Sequence, residues 1–270
     1  MGPKIILVFL FFCMLNAIPA VGAERIQTGF LDRTVSVKNT SYKYQVYLPI
    51  DYQPHRKFPV ILFLHGAGER GTDGLLQTQV GLGAAIRQHR DRFPFITIFP
   101  QVHENNYWSG PFIEEALKAL EQTLREFNCD RRHIYLTGMS MGGLGTWAVA
   151  ARSPRKFAAL VPICSWVKAK KPKLSDEDVE KNFKFNPFAK LNDPYNGLSE
   201  LIKGIPVWIF HGNADDVVSV EESRKMYDIL KKNGFDVKYT EYEGVNHNAW
   251  DKAYSEPELV NWLLSKELSR

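Results

Sequence analysis

Five short runs of apolar residues recur along the chain: VILFL (60–64), FITIF (95–99), IYLTG (134–138), FAALVPI (157–163) and PVWIF (206–210). Continuous runs of this length suit strands buried on both faces, as in a parallel sheet covered by helices. The segments between them include helix patterns. Ile113, Ala116, Leu117, Leu120, Leu124 and Phe127 fall on one face of a helix over 112–127. Ser219 and Glu222 carry the spacing of a capping box that opens a helix through Leu230, and EPELVNWLLSKEL (256–268) closes the chain as an amphipathic helix. YKYQVYLP (42–49) alternates like an antiparallel strand, and VKYTEY (237–242) follows as a last strand. Strands alternating with helices predict one α/β domain, a mostly parallel central sheet flanked by helices. Residues 165–205 exceed what a single crossover needs and are expected to form a small insertion or partial lid.

The first residues do not belong to that pattern. Lys4 precedes an apolar run from Ile5 to Leu15, and Val21-Gly22-Ala23 supplies small residues where a leader is cut. This predicts a secretory signal peptide cleaved after Ala23 and a secreted or periplasmic protein, with no stable membrane insertion once the leader is gone. A formal net charge of +4 over 270 residues gives no reason to expect a nucleic-acid partner. The one basic cluster, VKAKKPK (167–173), runs into the acidic SDEDVE (175–180), as in a solvated loop. Cys129 and Cys164 are placed by the strand pattern at opposite ends of neighbouring strands, so two free thiols are expected even after export. Nothing in the sequence fixes the oligomeric state.

The strand at 134–138 leads straight into LTGMSMGGLG (136–145), and a small-residue helix, MGGLGTWAVAA, leaves it. G-x-S-x-G alone is a weak signal, whereas strand, sharp turn and helix in that order make a nucleophile elbow. Ser140 is then held in an unfavourable backbone conformation, and Gly138 and Gly142 leave room for it. Gly143 and Gly145 are expected to allow close packing of the helix.

A serine hydroxyl needs a base, and the base needs an orienting carboxylate. His247, in GVNHNAW after the last strand, is the one histidine downstream of HGNADDVV (211–218), whose Asp215 or Asp216 offers the acid. The backbone N–H groups of Met141, opening the helix, and of Ala67, in FLHGAG (63–68) after an early strand, are candidate donors to a developing oxyanion. His65 and His211 precede glycines at strand ends and are expected to order loops. His55, His89, His103 and His133 show no partners, and no histidine pair has metal-ligand spacing, so no metal site is expected.

The stretches LFLHGAGERG, IFPQ, IYLTGMSMGGLGTWAVAARSPRKFAALVPIC, PVWIFHGNADDVVSVEESRKMYDIL and GVNHNAWDKAY resemble the α/β-hydrolase superfamily. More narrowly they are similar to its small secreted prolyl-oligopeptidase-like esterases, or predicted peptidases, relatives of dienelactone hydrolases and phospholipase/carboxylesterases. The resemblance runs from about Tyr42 to the C-terminus. It implies a Ser140–Asp215–His247 triad, with Asp215 favoured over Asp216 by the HGxxDxxV pattern, an oxyanion hole at Ala67 and Met141, and no cofactor. Two positions depart from the family pattern. Cys164-Ser165-Trp166 stands where a glycine-rich turn is expected, and Ser219 stands where proline often follows the valine.

Tyr107, Trp108, Trp166 and Trp250 fall in loops at the carboxyl edge of the expected sheet. Trp108 and Trp166 are candidate pocket-lining residues for a flat or apolar group. Gln101, Glu69 and Arg70 are candidate polar contacts. The leading expectation is a serine carboxylesterase acting on small-molecule or polysaccharide-borne esters, aromatic ones included. The alternative is a serine peptidase of prolyl-oligopeptidase-like type, although a chain of this length has no room for the propeller domain that selects peptides in such relatives. A third possibility is a catalytically inactive relative used for binding.

Overall fold

The structure, a computed structural model, describes Gly2, residues 27–168, Phe188 and residues 191–268. The leader expected over 1–23 lies outside the described residues except for Gly2, as does most of the insertion expected over 165–205. Among the described residues no helix is long and apolar enough to cross a membrane.

Eight strands form one sheet in the order β1-β2-β4-β3-β5-β6-β7-β8. They are β1 (Gly29–Val37), β2 (Thr40–Leu48), β3 (Phe58–Leu64), β4 (Ile96–Pro100), β5 (Cys129–Met139), β6 (Ala159–Ile163), β7 (Val207–Gly212) and β8 (Val237–Tyr242). From β4 to β8 every pairing is parallel, while β2 runs antiparallel to both β1 and β4. This is the expected α/β-hydrolase arrangement. Alternation along the strands divides the core into two layers: Val60, Leu62 and Leu64 face one, Ile61 and Phe63 the other.

The first layer is covered by α2 (Pro111–Glu126), α3 (Met141–Arg152), α4 (Pro194–Leu201) and α5 (Glu221–Lys232). The second is covered by α1 (Leu82–Gln88), α6 (Trp250–Ser255) and α7 (Leu259–Leu264). The chain grows outward from β3 to β4 and then returns to place β5 on the other side of β3. Such a reversal opens a crevice at the carboxyl ends of the two central strands, where ligands bind in open α/β sheets.

Three sequence expectations change. The strand β1 adds a hairpin partner for β2 that the apolar runs did not reveal. Val37 pairs with Thr40 across Lys38 and Asn39, whose φ angles of 45° and 67° are those of a two-residue turn of the mirror-image type. The Ser219–Glu222 capping box does not form: α5 begins at Glu221 after Val220, and the Ser219 hydroxyl reaches only the Glu221 N–H, at 3.4 Å. The Glu222 carboxylate turns inward instead, accepting from the N–H groups of Val167 (2.8 Å) and Lys168 (3.1 Å) and from the Tyr195 hydroxyl (2.9 Å). Three donors inside outweigh one at the helix end, and they anchor the start of the 165–205 segment. The closing helix is shorter than its pattern: after Pro257 it spans only Leu259–Leu264.

Candidate active site

Ser140 stands between β5 and α3 with φ 53° and ψ −117°. A left-handed backbone is strained for a residue with a side chain, and the surroundings hold it there. Its N–H donates to the Ile163 carbonyl (2.9 Å), and its own carbonyl accepts from Gly143 (2.8 Å). A Cβ at Gly142 would stand 1.9 Å from the Leu64 carbonyl oxygen, and one at Gly138 would stand 2.2 Å from that of Gly142. Only glycine lets the first turn of α3 lie this close to the end of β3. The same contact brings the loop of Gly66, Ala67 and Gly68 against that turn. Met141 is the first residue of α3 and Ala67 the first of a short 3-10 turn, positions whose N–H groups have no acceptor within their own helix.

His247 lies in the loop after β8. Its Nε2 is 2.8 Å from Ser140 Oγ, and its Nδ1 is 2.7 Å from Asp215 Oδ2. The side chain of His247 is 18 % exposed and that of Asp215 is 0 % exposed. Asp215 Oδ1 accepts from the N–H groups of Val217 (2.9 Å) and Val218 (2.8 Å). Burial works against the charge of this carboxylate. The hydrogen bonds from His211, His247 and Val218 overcome it and hold the group well below the usual carboxylate range. Asp216 is exposed. The geometry therefore selects Asp215 of the two candidates and joins it to Ser140 through one imidazole. Trp250 stands edge-on to His247, ring centroids 5.5 Å apart.

Several sequence assignments are corrected. Trp108 is fully buried, donating from its indole N–H to the His65 carbonyl (3.0 Å) and packing where a side chain at Gly145 would stand. It supports the loop after β3 and is closed off from solvent. Gln101 is likewise buried and committed within the chain. Its Oε1 accepts from Gly74 N–H (2.7 Å), while its Nε2 donates to the Glu69 carbonyl (3.2 Å) and Asp73 Oδ1 (2.9 Å). His133 does have a partner, Asp130 Oδ2 at 2.8 Å, and His103 stacks on Tyr42. Trp166 is half-buried against the core. Arg70 donates to the Asn106 carbonyl (2.6 Å) and lies over the Tyr107 ring.

His65 orders its loop as expected. It accepts from the Val102 N–H at Nε2 (2.9 Å), places Nδ1 2.6 Å from the Gly66 carbonyl, and burial lowers its pKa to about 4. The Cys164 turn that replaces the expected glycines is strained in the same way as Ser140, with φ 43°. Its Sγ donates to the His247 carbonyl (3.1 Å), tying the β6 and β8 loops together. Cys129 and Cys164 are both free and buried. Cys164, Asp215 and His247 each bring one atom capable of binding a metal within 4.8 Å of the others. Burial pushes the Cys164 thiol far up.

A serine, histidine and aspartate in this geometry recur across unrelated folds, so the family has to come from the wider sequence. The model of the prolyl oligopeptidase family matches residues 105–266, which carry all three residues. The chain belongs to the prolyl oligopeptidase family. Within and around this family, the chain is similar to an uncharacterized secreted protein of Arthroderma benhamiae, 26% identical over 199 residues, which are 71% of this chain and 21% of that protein. It is also similar to a bifunctional acetylxylan esterase/xylanase of Neocallimastix patriciarum, 24% identical over 188 residues, 66% of this chain and 22% of the relative. The chain thus spans about a fifth of the length of these relatives. Among solved structures, a thermostable esterase superposes with a TM-score of 0.70 at 33% identity, covering 88% of this chain and 63% of that one. Esterases therefore stand among the relatives of this prolyl oligopeptidase family member in both sequence and structure.

Proposed function

We propose that this chain is a secreted serine carboxylesterase that works through an acyl-enzyme on Ser140. One observation carries the reading: the unbroken hydrogen-bonded chain Ser140 Oγ–His247–Asp215, with links of 2.8 and 2.7 Å. Ser140 attacks the ester carbonyl and His247 Nε2 takes its proton. Asp215 holds the imidazole with Nδ1–H turned inward and balances its charge. The N–H groups of Ala67 and Met141 receive the negative oxygen of the tetrahedral intermediate, each donor worth roughly 3–4 kcal/mol of barrier. His247 returns the proton to the departing alcohol, and water repeats the cycle to release the acid. The half-buried Tyr107, Trp166 and Trp250 favour a substrate with a flat or apolar part, an aromatic or polysaccharide-borne ester. Secretion is supported by the Lys4–Ala23 leader pattern and by the secreted Arthroderma relative.

The family match favours a second reading, cleavage of peptide bonds by the same residues. One purified sample assayed on p-nitrophenyl acetate, feruloyl esters and proline-containing peptide amides separates the two. Hydrolysis of the esters alone is expected, and turnover of the amides at comparable kcat/KM would overturn the esterase assignment. Ser140→Ala is expected to abolish ester hydrolysis while the protein stays folded, and retained activity would remove Ser140 from the mechanism.

A further inference from the structure

His211, the last residue but one of β7, is the second imidazole at Asp215, bonded to the same carboxylate oxygen as His247. Its Nε2 is 3.0 Å from Asp215 Oδ2 and 3.1 Å from the Val218 carbonyl oxygen. Both of these are acceptors, so Nε2 must carry the proton. Its Nδ1 is 2.7 Å from Ser223 Oγ in the first turn of α5, a hydroxyl that can donate or accept. The ring is wholly buried. The Asp215 carboxylate and the Val218 carbonyl thus place a proton on Nε2, aimed at the oxygen that also holds His247. Asp215 ends with four donors, two backbone N–H groups on Oδ1 and two imidazoles on Oδ2. Glu241 is the charged group that faces His211 from β8, and it is itself paired with Arg224 (2.6 Å) and bonded to the Tyr239 hydroxyl.

We propose that His211, donating from Nε2 to Asp215, is a positioning residue that fixes the Asp215 carboxylate and shares its charge, so setting the basicity of His247. This rests on the Ser140–His247–Asp215 reading above. A carboxylate with every lone pair engaged stays anionic and still when His247 gains the serine proton. The proton then remains on His247 for the departing alcohol. Without the His211 donor, Oδ2 presents its full charge to His247 and makes the imidazole more basic.

The test compares His211→Leu with His211→Gln, whose amide N–H can reach the place of Nε2. In His211→Leu, kcat for p-nitrophenyl acetate is expected to fall about tenfold with KM unchanged. The acidic limb of its kcat/KM–pH profile is expected to move upward by about half a unit or more. His211→Gln is expected to restore most of both. Equal losses in the two variants with no shift of the limb would make His211 structural, and unchanged kinetics in His211→Leu would overturn the proposal outright. Should His211→Leu fail to fold, nitrogen NMR of the imidazoles in the unaltered protein decides: an Nδ1–H tautomer for His211 contradicts the proposal and Nε2–H supports it. If Ser140→Ala stays active, the underlying reading fails. If Ser140→Ala is dead and His211→Leu is normal, only the role of His211 fails.

Discussion

Asp215 and Glu115 are buried carboxylates treated in opposite ways. Asp215, in the loop after β7, has four hydrogen bonds and is held as an anion. Glu115, in the middle of α2, is just as buried, yet neither of its oxygens makes a hydrogen bond of ordinary geometry. Burial lifts its carboxyl to about 9, against the opposing pull of the Gln101 backbone N–H. Glu115 is therefore neutral at pH 7. Depth in the protein does not decide the charge; the number of donors that reach the group does. Asp215, the carboxylate proposed to work in the reaction, is supplied with donors, and Glu115 is not.

The largest effect expected from this contrast comes from Asp215→Asn. It keeps the shape but can present an amide N–H donor where His247 Nδ1–H needs an acceptor, favouring the wrong tautomer, and kcat/KM should fall about 10³- to 10⁴-fold. The same change at the neighbouring, exposed Asp216 should leave ester hydrolysis within about twofold, the range expected of a surface substitution. A loss at Asp216 equal to that at Asp215 would undo the choice between them.

Glu115→Gln should act on stability and leave kcat alone. In the unfolded chain Glu115 ionises near its ordinary value of 4.5, and in the folded chain only near 9. Below the lower value it is neutral in both states and costs nothing. Between the two, the unfolded state alone sheds the proton, so stability falls by about 1.4 kcal/mol per pH unit as pH rises. Denaturant titrations of the parent and of Glu115→Gln at pH 5 and pH 8 should show the variant losing less stability over that interval, by a few kcal/mol. An identical pH dependence in the two proteins would mean that Glu115 is ionised and partnered after all.

The contrast also marks how far sequence reasoning reaches. Chain order brings Ser140, the Asp215-Asp216 pair and His247 to one place, because a parallel sheet delivers the loops after β5, β7 and β8 to the same edge. The resemblance to HGxxDxxV loops favours Asp215 of the pair, and the structure adds direction: its side chain points inward and that of Asp216 outward. The same gap explains Trp108 and Gln101. Their loop position was legible, but both side chains turn away from the crevice to support the loop after β3.

Glu222 was read as a local cap because the spacing to Ser219 fits. Its true partners, Val167, Lys168 and Tyr195, are distant in sequence. The missed strand β1 did leave a signal: Leu31, Val35 and Val37 alternate with exposed Asp32, Thr34 and Ser36 just before Lys38-Asn39. His211 was expected to order a loop, which it does through Val218. Its bond to Asp215 depends on a tautomer that no sequence pattern displays.

The central claim, that Ser140 is a nucleophile activated by His247, is tested most directly by covalent labelling. A fluorophosphonate reacts with an activated serine and stays bound, and peptide mass spectrometry locates it. One equivalent on Ser140 is expected, with no label in Ser140→Ala and slow labelling in His247→Ala. An active, unlabelled enzyme, or a label on another residue accompanied by loss of activity, would contradict the account.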